Sequence, residues 1–313
     1  MQVRLGLPIP GGALATAASR LSAPVLLSAN AFSRSWPVAR RHEMRWPGFR
    51  RPGPALAGLD VALDSAGFVA MARYRGFPWT VADYLDLAAS FPWAWWAQMD
   101  CCCEPEIAGD RDTVLLRIAE TARLLGECRR AAREAGIAPP MPVLQGWRPE
   151  DYLLSAELAP IAQWPELVGI GSICRRAVLG PAGLLEIVDR LDRALPRHVR
   201  FHLFGVKGPG IAALRGHDRI ASVDSQAWDM AVRRAVPVGR TMVRRIAAME
   251  TWYRTQTAVA AQPHRPVARS LGLDEAQIPD ELDREWIDLI AAGEIDFASA
   301  SPRAVFEARY ASD

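Results

Sequence analysis

Lysine is almost absent from this chain: Lys207 is the only one in 313 residues. Nearly all basic charge is therefore guanidinium, which suits bidentate contacts to phosphate. A genome rich in GC accounts for high arginine usage equally well. It accounts less well for the clustering near the N-terminus. There Arg4, Arg20, Arg34, Arg40, Arg41, Arg45, Arg50 and Arg51 face a single acid, Glu43. The net charge of +2 does not by itself announce a nucleic-acid binder.

Long apolar runs are also missing. None reaches about 18 residues, so no membrane span is expected. The N-terminus has no charged, apolar and small-residue succession of a secretory signal, and a cytoplasmic enzyme is the expectation. Only five cysteines occur, at 101, 102, 103, 128 and 174. Three in a row are poorly placed for mutual disulfides, and the odd count points to reduced thiols. No pair of Cys-x-x-Cys motifs, and no such motif with a histidine at finger spacing, is present, which argues against structural zinc. His198, His202, His217 and His264 have no ligand spacing either. Gly11-Gly12 is too short for the glycine-rich phosphate turn of a dinucleotide fold.

What the chain does contain is a succession of short apolar runs separated by helical patterns. Strands are expected near 3–8, 24–32, 59–64, 92–100, 140–147, 166–173, 200–208 and 219–228. Helices are expected at 11–21, 80–90, 110–135, 149–158, 180–195 and 209–217. Alternating strands and helices make a parallel sheet. Eight strands in about 230 residues fit an α/β fold of the (β/α)8, TIM-like barrel type. A doubly wound open sheet is the alternative. The Arg-, Pro- and Trp-rich residues 33–58 read as a long N-terminal loop insertion. Residues 1–230 are expected to form the barrel and 231–313 a helical C-terminal extension packed on it, basic at first and acidic around 274–285.

The stretch Leu59-Asp-Val-Ala-Leu-Asp-Ser-Ala-Gly-Phe68 organises the rest. Leu59, Val61 and Leu63 alternate as in a strand, and Asp64 and Ser65 arrive at its end. Asp64 alone fits a helix cap as well as a site residue. The other strand ends bear on the choice. They carry Asn30, Asp100 with Cys102, Gln145 with Gly146, Gly171 with Ser172, Phe204 with Gly205, and Asp224 with Ser225. In a barrel these converge on one mouth. Three carboxylates and an amide around a glycine-lined floor suit a planar, hydrogen-bonding ligand such as a purine.

In these residues the chain resembles the tRNA-guanine transglycosylases, which exchange guanine for a 7-deazaguanine. Their Asp-Ser-Gly-Gly-Phe-Gln motif is matched by Asp64-Ser65-Ala66-Gly67-Phe68-Val69. Their Asp-x-Cys is matched by Asp100-Cys101-Cys102, and Val-Gln-Gly-Gly by Leu144-Gln145-Gly146-Trp147. Gly-Gly-Leu corresponds to Gly171-Ser172-Ile173, and Leu-Met-Gly-Val-Gly to Leu203-Phe204-Gly205-Val206-Lys207-Gly208. Phe-Asp-Cys corresponds to Val223-Asp224-Ser225. The match runs over roughly 25–230. It departs at Ala66 and Ser172, where the family has glycine, and at the family's zinc motif, which is missing, so no cofactor is expected. These departures resemble the DpdA-like branch that places 7-deazaguanines such as preQ0 in DNA.

The resemblance implies a double displacement. Asp224 would be the nucleophile at the anomeric carbon and Asp64 the group that handles the proton of the base. Asp100 and Gln145 would read the base edge, the backbone of Gly171–Ile173 would hold its carbonyl side, and Phe204 with Phe68 would stack on it. Ser65, Gly67, Cys102, Gly146 and Gly205 would complete the pocket. Asp229 is a rival to Asp224, and Asp60 to Asp64. The target nucleotide would have to be flipped out or single-stranded. Arg40, Arg41, Arg45, Arg233, Arg234, Arg244 and Arg245 are candidates to hold its backbone. Expected partners are DNA, with tRNA as the alternative, a 7-deazaguanine base and proteins that open DNA. A hydrolase on the same fold is the competing activity.

Overall fold

The computed structural model describes residues 1–34, 46–235 and 241–263. Each strand is brief, with two to six residues. β1 (Gln2–Leu7) is followed by α1 (Gly12–Arg20), β2 (Val25–Ser28), β3 (Val61–Asp64), the short α2 (Gly67–Val69) and α3 (Val81–Ala89). β4 (Trp95–Trp96), α4 (Pro105–Ala108), α5 (Arg111–Glu134), β5 (Val143–Leu144), α6 (Pro149–Leu158) and β6 (Leu167–Ile170) come next. The described chain ends with α7 (Leu184–Ala194), β7 (Arg200–Leu203), α8 (Gly208–Leu214), β8 (Ile220–Ser225), α9 (Ala227–Ala235) and α10 (Met242–Ala260).

All eight strands are parallel, in the order β4-β3-β2-β1-β8-β7-β6-β5. The sheet is curled and TIM-like. Its two outer strands approach at a parallel bridge between Ala97 and Met141, where Met141 N–H donates to Trp96 O at 2.8 Å and Gln98 N–H to Met141 O at 3.0 Å.

Helix starts are chemically marked. Thr80 caps α3 reciprocally, its hydroxyl accepting from Asp83 N–H at 3.2 Å while Asp83 Oδ2 accepts from Thr80 N–H at 2.8 Å. Asp110 caps α5 by accepting from Thr113 N–H at 3.1 Å. On α7, Leu184, Ile187, Val188 and Leu191 recur on one face and are buried. The main apolar core lies between the sheet and its helices. A second, smaller one of Ala97, Met141 and Val143, with Trp95, Leu167 and Phe204 against it, fills the interior of the curl.

Several boundaries differ from the expectation. The run 24–32 is strand only to Ser28 and then turns as a 3-10 segment, Ala29–Phe32. The expected strand 92–100 pairs regularly over two residues. Trp228 lies in α9 rather than in the last strand, because β8 stops at Ser225. α10 packs against α9, α8, α1 and β1. Residues 264–313, with His264 and the acidic stretch 274–285, lie outside the described residues, as does 35–45 of the N-terminal loop. Among the described residues no helix is long and apolar enough to cross a membrane.

Candidate active site

The C-terminal ends of the strands surround one cavity of about 390 Å³. Asp64, Gly67, Phe68, Asp100, Cys102, Gln145, Gly171, Ser172, Phe204, Gly205 and Asp224 all line it. Two strands separated in the sheet by β2 and β1, β3 and β8, thus deliver Asp64 and Asp224 to the same space.

Three expected residues stand behind the wall instead. Ser65 is buried and donates its hydroxyl to Asp100 Oδ1 at 2.5 Å. Gly146 backs onto Asp151 and Tyr152, so it makes room for α6 rather than for a ligand. The side chain of Ile173 belongs to the main apolar core. Near the cavity, the sequence reading missed Ser28, Glu104, Cys174, Arg175, Lys207 and Gln226, which also line it. Glu104, Cys174 and Arg175 are joined by sequence-distant contacts: Arg175 Nε donates to Glu104 Oε2 at 3.0 Å, and Cys174 Sγ lies 3.4 Å from Glu104 Oε1. Strand-end positions gave no signal for residues held in this way.

A continuous relay of hydrogen bonds forms one wall. Cys103 N–H donates to Ser172 Oγ at 2.6 Å, and the Ser172 hydroxyl donates to Gln145 Oε1. Gln145 Nε2 donates to Asp100 Oδ2, and Ser65 donates to Asp100 Oδ1. The Gln145 amide is thereby oriented, and Asp100 is held from both sides. Space for this relay depends on glycine. A Cβ on Gly171 would overlap the Gln145 amide, and one on Gly67 would overlap the Asp100 backbone carbonyl.

Burial of Asp100 raises its pKa, while the bonds from Ser65 and Gln145 oppose the rise. Asp64 is pushed from the ordinary 3.8 up to about 7, first by burial and next by the neighbouring charge of Asp100, with Asp224 adding to it. The bond from Ala66 N–H to Asp64 Oδ2, at 3.0 Å, acts in the opposite direction. On the other side, Asp224 Oδ1 accepts from Gly205 N–H at 3.0 Å. Cys102 lines the cavity as a thiol, since burial raises its pKa well above the usual range.

The two rival carboxylates are committed elsewhere. Asp229 is fully buried and paired with Arg245 Nε at 2.7 Å. Asp60 precedes β3, at the opposite end from the cavity, and pairs with Arg4 Nη1 at 2.9 Å. Among the candidate phosphate-binding arginines, Arg40, Arg41 and Arg45 lie outside the described residues, as do the side chains of Arg233 and Arg234. Arg244 is exposed near the start of α10.

A family model described as DpdA, DeoxyPurine in DNA protein A, matches residues 34–276, more than half of the chain. The chain belongs to the DpdA family. Membership implies a transglycosylase-type enzyme with a DNA substrate. No curated protein matches the chain. β1 and β2 lie upstream of the matched span, which covers the other six of the eight strands, β3 to β8, and runs through α10, so the motif-bearing strand ends from Asp64 to Asp224 all fall inside it.

Proposed function

We propose that this DpdA-family chain exchanges guanine in DNA for a 7-deazaguanine base such as preQ0, through a covalent Asp224–deoxyribose intermediate. The observation that carries the reading is the pairing of Asp64 and Asp224 across one cavity whose third side is the Asp100–Gln145–Ser172 relay.

In the first half-reaction an Asp224 oxygen attacks C1′ and forms an ester. The C1′–N9 bond breaks, its electron pair goes to the base, and protonated Asp64 supplies the proton that the departing guanine needs. In the second, Asp64 takes the N9 proton of the incoming base. N9 then attacks C1′, and the ester oxygen leaves with its pair to restore the Asp224 carboxylate. Protons and charges balance over the cycle. A pKa of about 7 suits Asp64 to both roles near neutral pH.

Asp100 has lone pairs beyond those used by Ser65 and Gln145, and it accepts from the ring N–H and amino group of the base. The backbone at Gly171–Ser172 serves the carbonyl side. Phe204 forms part of the floor, and Phe68, 45 % exposed, stands at the mouth. Because these contacts enclose the base, the target nucleotide is extruded from the duplex or presented as a single strand.

The test is incubation of the full chain with guanine-containing DNA, tRNA in parallel, and labelled guanine or preQ0. Label in DNA, with a protein–DNA adduct that disappears in Asp224→Asn, is the expected result. Label in tRNA alone rejects the DNA substrate. Release of base without incorporation of label favours a hydrolase.

A further inference from the structure

One buried titratable side chain takes no part in the scheme above. His202, on β7, is fully buried inside the curled sheet. Its ring lies between Trp95, at a centroid distance of 4.7 Å, and Phe204, at 4.6 Å. Nδ1 is 2.8 Å from the Ser222 hydroxyl, its register partner on β8. Nε2 lies 3.4 Å from Asp224 Oδ1 and has no formed hydrogen bond among the described residues.

We infer that His202 is a positioning residue for the nucleophile: its Nε2–H and the Gly205 N–H both address Asp224 Oδ1 and so leave Oδ2 as the oxygen that attacks C1′. The inference rests on the exchange reading and adds to it which oxygen reacts and what orients it.

Burial keeps the imidazole neutral by lowering its pKa; Asp224 pulls the other way without overcoming that effect, and the Arg4 charge adds to the lowering. A neutral imidazole has one donor and one acceptor. Ser222 can donate to Nδ1, which places the proton on Nε2, facing Asp224. The ring therefore supplies a dipole rather than a countercharge. At 3.4 Å the contact is long for a hydrogen bond, as such contacts commonly are before substrate binds. A buried N–H without a partner is unfavourable, so a short movement of Asp224 toward it is favoured.

The same donor serves both halves of the cycle. It fixes the carboxylate for attack. Once the ester has formed, it addresses the carbonyl oxygen, where negative charge returns as C1′–Oδ2 breaks and the pair goes back to the carboxylate. His202 transfers no proton in either half.

The experiment compares His202→Leu, His202→Gln and Ser222→Ala with the unaltered chain in exchange of labelled guanine into guanine-containing DNA. Loss of one hydrogen bond to a charged group predicts a kcat about 10- to 100-fold lower in His202→Leu. KM for the base should hardly change, because Asp100 and Gln145 are untouched. Gln carries an N–H and should recover part of the rate. Ser222→Ala, which no longer fixes the tautomer, should fall between Leu and the unaltered chain, and it tests the idea if the Leu variant does not fold. Unchanged kcat in folded variants overturns the role, as does a rise in KM that parallels the fall in kcat. If the unaltered chain exchanges no base, the exchange reading fails and the role with it; exchange that is indifferent to these variants removes the role alone.

Discussion

Gln145 Nε2 donates to the Asp100 carboxylate, while its Oε1 accepts from Ser172. An amide satisfied at both ends cannot turn over, so the edge that Asp100 presents to a ligand is fixed before the ligand arrives. Replacing Gln145 by Ala should therefore weaken base binding although Asp100 remains. The expected rise in KM for guanine is about 10-fold or more, the worth of a hydrogen bond to a charged group. Asp100→Asn should in addition blunt the preference for guanine over hypoxanthine, which lacks the amino group. Competition between the two bases in the exchange assay measures both effects; equal discrimination in Asp100→Asn contradicts the assigned contact.

The raised pKa of Asp64 has consequences for rate and for stability. In the proposed cycle, release of guanine needs the protonated acid and should decline as pH rises through about 7. Incorporation of the second base needs the carboxylate and should decline as pH falls through the same value. Pre-steady-state measurement of each half between pH 5.5 and 8.5, chosen as roughly 1.5 units either side of that value, should give opposite slopes. For stability, the folded state binds the Asp64 proton more tightly than the unfolded chain does. Asp64 therefore makes the fold less stable as pH rises from about 4 to about 7, with no further change above. Asp64→Asn should raise the Tm at pH 8 more than at pH 4 while abolishing exchange. An equal shift at both pH values would show that Asp64 titrates normally.

Two positions where the chain departs from the glycines of related motifs, Ala66 and Ser172, both have left-handed backbones, at φ 68° and φ 54°. This conformation costs a residue with a Cβ about 1 kcal/mol relative to glycine. Ala66→Gly should relieve that strain and stabilise the protein by roughly 0.5–1 kcal/mol, as read from a urea midpoint. Its neighbour should behave in the opposite way. Gly67→Ala introduces a Cβ against Asp100 and should displace the carboxylate, with loss of base binding. A lower midpoint in Ala66→Gly would contradict the strain argument. Ser172 is a mixed case, because its hydroxyl holds Gln145 and the Cys103 amide.

Much of this was legible in the sequence, and the reason is periodicity. The alternation of Val61 and Leu63 and the carboxylates and amides after successive apolar runs mark a parallel sheet and its functional end. Strand length was overestimated, since apolar residues such as Phe32 and Trp228 continue past the last paired position. Residues that join the cavity by long-range contact were not legible at all. Glu104 meets Arg175 across 71 positions, and no local pattern announces it. The interior histidine was equally hidden: His202 acquires its meaning only from the register that sets it beside Ser222 and near Asp224.

Lys207 and Arg245 are both basic, and the structure separates them. Lys207 lines the cavity at the start of α8, whereas Arg245 pairs with Asp229, a carboxylate that is fully buried. Removing Arg245 leaves that carboxylate without its guanidinium, and Arg245→Ala should cost about 3–5 kcal/mol of stability. Lys207→Ala should leave the fold intact and weaken DNA binding without regard to sequence. If its ammonium reaches a phosphate next to the extruded nucleotide, the slope of log K against log salt should become shallower by about 1. Unfolding curves and salt-dependent DNA titrations of the two variants distinguish a residue that holds α10 to α9 from one that meets the substrate. An unchanged slope in Lys207→Ala would assign that lysine to the base or to the cavity wall instead of the DNA backbone.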